Sequence, residues 1–210
     1  MGIKFKTPEF TGLYLSLNDP HIYRGKEKYG CLALFPKGTD FTGFNDALRQ
    51  SIEAKFPGKS AALLKSKNFK NPLRAQDEKV DDEGNIQRNF TPGAFFLSLS
   101  AKEQPMVYNM DRTKATYPLS NQVFYSGAHF VAILDIFTWH QKEDDSKGAS
   151  CSLIGLQKVA NGPRLGGSSV SVSETDFLAV AARDDSLSDV AFDIDVPKKK
   201  SNDLDDEIPF

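Results

Sequence analysis

Residues His129-Phe-Val-Ala-Ile-Leu-Asp-Ile-Phe-Thr-Trp139 alternate in character with a period of two. Only an extended chain sends successive side chains to opposite faces. The run therefore predicts a long, half-buried strand with Phe130, Leu134 and Ile136 inward and Asp135, Phe137 and Trp139 on the other face. Gly12 to Leu17 repeats the pattern, with Leu13, Leu15 and Leu17 facing one way and Tyr14 and Ser16 the other. Tyr29 to Phe35 predicts Leu32 and Leu34 inside and Tyr29, Ala33 and Phe35 opposite. Gly93 to Leu99 predicts Phe95, Leu97 and Leu99 inside, with Phe96 and Ser98 pointing out. Ala149 to Val159 is the last expected strand, ended by the turn signal Asn161-Gly162-Pro163.

Helical periodicity is confined to one region. Phe44, Leu48, Ile52 and Phe56 recur every four residues and predict an amphipathic helix that Pro57-Gly58 stops. Ser60 to Ser66 fits a short second helix, and Ser173-Glu-Thr-Asp-Phe177 carries a cap signature for another. Residues 76–89 are polar, a loop or hairpin end around Gly84-Asn85. The expected fold is mainly β. About five strands, with a helical insertion between the second and third, suit a closed or partly closed barrel; a sandwich with a helical lid is the alternative. The body is expected over 1–182. Asp and Ser dominate from 183, so 183–210 is expected to be a disordered acidic tail.

Charge divides the chain in the same place. Residues 1–170 carry 22 Lys+Arg against 17 Asp+Glu, whereas residues 171–210 carry 4 against 11. A basic body with an acidic extension suits a partner that is a polyanion. No apolar run approaches the roughly 18 residues of a membrane span, so no membrane is expected. The first residues show neither a signal-peptide core nor a myristoylation pattern, because Lys6 stands where Ser or Thr is required. Cys31 and Cys151 form no Cys-x-x-Cys, which favours reduced thiols in a cytoplasm.

Catalytic and metal chemistry finds little support. His21, His129 and His140 lack ligand spacing, and Gly162-Pro-Arg-Leu-Gly-Gly167 is not followed by the Lys-Ser/Thr of a phosphate loop. Gly84 stands at the eighth place of the acidic run from Asp77, not the sixth of a calcium loop. Neither a metal nor a cofactor is expected, and the chain is read as a non-enzyme. A metal-dependent nuclease or resolvase, with carboxylates from Glu103, Asp111 or Asp135, is one rival; an adaptor using only its tail is the other. Basic residues interleaved with aromatics are better represented. Cations that follow phosphates and aromatic faces that stack on bases hold single-stranded nucleic acid without regard to sequence. The candidate contacts are Tyr29, Phe35, Lys37, Lys67, Lys70, Arg74, Phe96, Arg112, Lys114, Phe137 and Trp139. The four aromatics Phe35, Phe96, Phe137 and Trp139 are chosen because alternation turns them away from the expected core.

The last residues offer a second kind of contact. Asp203, Asp205, Asp206 and Glu207 keep the segment solvated, Pro209 fixes its direction, and Ile208 and Phe210 supply apolar anchors. An anchor beside a C-terminal carboxylate is a known peptide-docking mode. The sequence Asp205-Asp-Glu-Ile-Pro-Phe210 resembles the tip of bacterial single-stranded DNA-binding proteins. The body adds Asn71-Pro-Leu-Arg74, Pro92-Gly-Ala-Phe-Phe-Leu-Ser-Leu-Ser-Ala-Lys102, Gln104-Pro-Met-Val-Tyr108, Val123-Phe-Tyr-Ser-Gly127 and Leu153 to Gly167. Together these resemble tailed-phage single-stranded DNA-binding proteins. The resemblance implies an OB-fold protein of phage DNA replication, recombination and repair, in which homodimers are common. It also implies that the tail recruits DNA polymerase, helicase/primase or repair proteins. One departure is Ala75-Gln76 where such proteins frequently have Gly-Asp after Leu-Arg.

Overall fold

The computed structural model describes residues 2–165, position 24 excepted. The expected helix at 173–177, the tail and its docking residues lie outside the described residues. Nine strands are present among those described. They are β1 (Ile3–Lys6), β2 (Phe10–Tyr23), β3 (Lys26–Phe35), β4 (Phe69–Lys70), β5 (Leu73–Ala75), β6 (Phe95–Ala101), β7 (Met106–Tyr108), β8 (His129–Gln141) and β9 (Ser146–Ala160). Helices α1 (Thr42–Lys55) and α2 (Ser60–Lys65) lie between β3 and β4. Among the described residues, no helix is long and apolar enough to cross a membrane.

The five long strands are those expected from alternation, and the helices fall between the second and third of them. All strands belong to one sheet, not the two of a sandwich. Strand β3 pairs with β2 and β6, β9 pairs with β6 and β8, and β8 pairs back to β2. Two of these joins are thin: β6 meets β9 in parallel through Ser100↔Ser152, and β2 meets β8 through Phe10↔Phe130 and Thr11↔His129. The inner face holds the main core, including Phe10, Phe35, Leu97, Leu99, Phe130, Leu134, Ile136 and Leu153. Burying each such side chain contributes about 1.5–3 kcal/mol.

Helix α1 closes one end of this core. Phe44, Leu48 and Ile52 are fully buried, and Ser51 and Thr138 share a buried hydroxyl hydrogen bond of 2.9 Å. Asp40 starts the helix by accepting from the Thr42 amide and hydroxyl, and these bonds hold its carboxyl below the usual range. The helix stops at Phe56, whose ring meets His140 edge-on at 6.0 Å.

Strand β8 has the expected facing throughout, but β3 is inverted. Ala33 and Phe35 enter the main core, while Leu32 and Leu34 lie on the other face. That face carries its own apolar cluster, Leu13, Leu34, Phe90 and Phe96, so alternation between two apolar sets could not show which set was inner. Loop 76–94 covers it. Gln76, 2% exposed, donates to the carbonyls of Phe35 and Phe95 and accepts from the Thr91 amide, pinning both ends of the loop. Phe95, expected inside, is exposed and rests edge-on against Phe41. In β2 the register shifts between Leu13 and Ser16, so Leu13 joins the outer cluster whereas Leu15 and Leu17 pack on the main core.

Candidate nucleic-acid interface

Beyond the covered cluster, the outer face of β3, β6, β9 and β8 is open. Its floor is made of small residues whose registers follow one another across the strands. Gly30 faces Ser100, Ser100 faces Ser152, and on β8 Phe137 faces Ser150 and Trp139 faces Gly148. Gly30 permits the close β3–β6 approach, since a Cβ there would lie 2.0 Å from the Leu99 carbonyl oxygen. One end is a concavity of about 520 Å³ lined by Tyr14, His21, Lys28, Leu32 and Ser98, within the range of ligand sites. It continues past Lys28 and Ser100 to Lys102, Phe137, Ser150 and Ser152, and then to Met106, Asp135 and Ile154.

Trp139 stands beside this path, two residues along β8 from Phe137 and on the same face. Its indole Nε1 donates to Ser150 Oγ at 3.0 Å, and Lys70 Nζ stands 5.6 Å from the ring centre. Gly148 leaves room for the indole, because a Cβ there would lie 2.6 Å from Trp139 Cζ2. Phe137 is freer, at 39% exposure. In the neighbouring turn Asp145 takes hydrogen bonds from Lys147 and His140, which hold its carboxyl below the usual range. The arrangement offers aromatic faces, hydroxyls and ammonium groups along a shallow open channel, which suits a flexible polyanion with planar rings. Among the described residues, no group of three or more His, Cys, Asp or Glu could hold a metal ion.

The structure brings three of the sequence candidates together here: Phe137, Trp139 and Lys70. Lys67 is exposed three residues before Lys70. Three aromatics do not qualify. Phe35 is 1% exposed in the main core and Phe96 is 2% exposed beneath loop 76–94. Tyr29 is half-buried and shares the strand parity of core residues Cys31 and Ala33, so it turns away from the open face. Arg74 is committed to the covered half, with its guanidinium 5.4 Å from the Phe96 ring centre and its Nε bonded to Glu78 at 2.7 Å. Lys37 lies beside Gly93 at the far end of β3. Arg112 and Lys114 are exposed on the turn after β7, outside the residues that line the channel.

Sequence reasoning missed Tyr14, Lys28, Lys102 and the small-residue floor. A signal was present: Leu97-Ser-Leu-Ser-Ala101 and Ala149-Ser-Cys-Ser-Leu153 alternate apolar residues with serine. That pattern marks a face kept free of bulk as well as one turned from the core.

A model of the family described as the ssDNA-binding protein of Enterobacter phage Enc34 matches residues 9–187. The chain is similar to the single-stranded DNA-binding protein of bacteriophage Enc34 solved in complex with ssDNA, at 19% identity over 78% of this chain and 89% of that one, with a TM-score of 0.59. A second structure of the Enc34 protein gives 20% identity over 82% and 89%, with a TM-score of 0.57. It is also similar to gp2.5, a single-stranded DNA-binding protein encoded by bacteriophage T7, at 11% identity over 86% and 100%, with a TM-score of 0.55. No curated protein sequence matches it.

Proposed function

Because the chain belongs to the phage ssDNA-binding family typified by the Enc34 protein, we propose that its open channel binds single-stranded DNA without sequence choice. The observation that carries this reading is the serine- and glycine-floored face that carries Lys28, Lys102 and Phe137, with Trp139 and Lys70 beside it. Phosphates follow the lysines, and each base stacked on an aromatic contributes about 1–3 kcal/mol. Membership in a family of binding proteins displaces the nuclease reading. The ring of β2, β3, β6, β9 and β8 supports an OB-type barrel, with its thin β6–β9 join inside the binding face.

The protein then coats and shields unpaired DNA during phage replication and recombination in the host cytoplasm. The acidic sequence 203–210, ending in Ile-Pro-Phe, supports a second role, the docking of polymerase, helicase/primase or repair proteins. The test is a gel shift comparing single- and double-stranded oligonucleotides, joined to an oligo-dT titration of fluorescence from Trp139, the one tryptophan. Preferential retardation of the single strand with quenching is expected. Retardation of neither form overturns the binding role. A protein lacking 201–210 that still binds DNA but no longer retains a replication enzyme would separate the two roles.

A further inference from the structure

Tyr14 adopts φ 52°, in the left-handed region where the Cβ of a bulky residue crowds the backbone. The conformation belongs to the bulge at which the β2–β3 register shifts between Leu13 and Ser16. On one side of it Leu13 is buried in the outer cluster, and on the other Leu17 is buried in the main core. Tyr14 between them is thrown outward, with 64% of its surface exposed. Packing alone gives no reason for an aromatic here; glycine or asparagine would fit this backbone with less strain. Strained backbone of this kind persists where neighbours hold it and is concentrated at ligand sites. The Tyr14 ring lines the same concavity as His21, Lys28, Leu32 and Ser98, at the opposite end of the channel from Phe137 and Trp139.

Resting on the ssDNA reading of this face, we propose that Tyr14 is a second base-stacking station, positioned by its bulge to grip the DNA strand at the end remote from Trp139. Tyr14 is on β2 and Phe137 on β8, with β3, β6 and β9 between them across the face, so four inter-strand steps separate the stations. At ~4.8 Å per step this is about 19 Å. A single strand advances at least the ~3.4 Å per nucleotide of a duplex strand, so at most about six nucleotides bridge it. Shorter strands reach one station only.

The test measures binding of oligo-dT from 2 to 12 nucleotides to the full chain and to Tyr14→Gly, Tyr14→Asn, Tyr14→Phe and Phe137→Ala, with Tm recorded for each. The wild-type chain is expected to gain affinity steeply once the oligomer reaches the bridging length, at or below about six nucleotides. Tyr14→Gly and Tyr14→Asn are expected to lose that step, bind the longest oligomer about ten-fold more weakly, and melt at or above the wild-type temperature. Tyr14→Phe is expected to keep the step. If wild type binds the 12-mer and both non-aromatic variants bind it equally well, the Tyr14 station is overturned while the channel stands. If wild type binds no oligomer, channel and station fall together.

Discussion

The outer face of β3 and β6 is one continuous surface put to two uses. Where Leu34 pairs with Phe96 it is large, apolar and covered by loop 76–94; where Gly30 pairs with Ser100, four residues away along each strand, it is small and open. The covered half even has cations over an aromatic ring, Arg74 and Lys79 on Phe96. Cation and aromatic together thus do not define a binding face. Accessibility does: in the covered half Phe96 is buried beneath a loop, and in the open half Phe137 keeps 39% of its surface exposed.

Four substitutions sharpen or break this contrast. Phe96→Ala should cost about 3–5 kcal/mol of stability, read by urea denaturation, with the folded fraction binding oligo-dT as wild type. A matching loss of affinity would make the covered half part of the site. Gln76→Leu strands the Phe35 and Phe95 carbonyls and the Thr91 amide, and should cost about 2–3 kcal/mol, with faster proteolysis within 76–94. Phe137→Ala should reverse the pattern, weakening DNA binding by about 1–2 kcal/mol with little change in urea midpoint. Lys70→Gln should have the smallest effect, lowering the salt slope of binding by about 0.7 at unchanged stability.

The same contrast explains what the sequence made legible. Strand β8 could be read because its outer face carries Asp135 and the aromatics Phe137 and Trp139 against an inner set that is apolar except for Thr138, and the structure keeps that division. Helix α1 was equally plain, since Phe44, Leu48 and Ile52 can meet only one surface. Strand β3 was misread because both its faces are apolar; which is inner depends on loop 76–94, and no local pattern announces that a polar loop will fold back over Phe96. Phe35 and Phe96 were lost from the candidate site for that reason. Tyr14 was placed on the outward face but not among the contacts, because its exposure depends on a bulge and bulges leave the alternation around them almost intact. Lys28 and Lys102 are scattered in the chain and converge only when β3 and β6 pair.

Ultraviolet crosslinking of oligo-dT to the full chain, with adducts located by mass spectrometry, tests the open-face claim most directly. Adducts are expected on Tyr14, Phe137 or Trp139 and none on Phe90 or Phe96. Adducts confined to loop 76–94 or to the helical insertion, with the open channel unmarked, would contradict it.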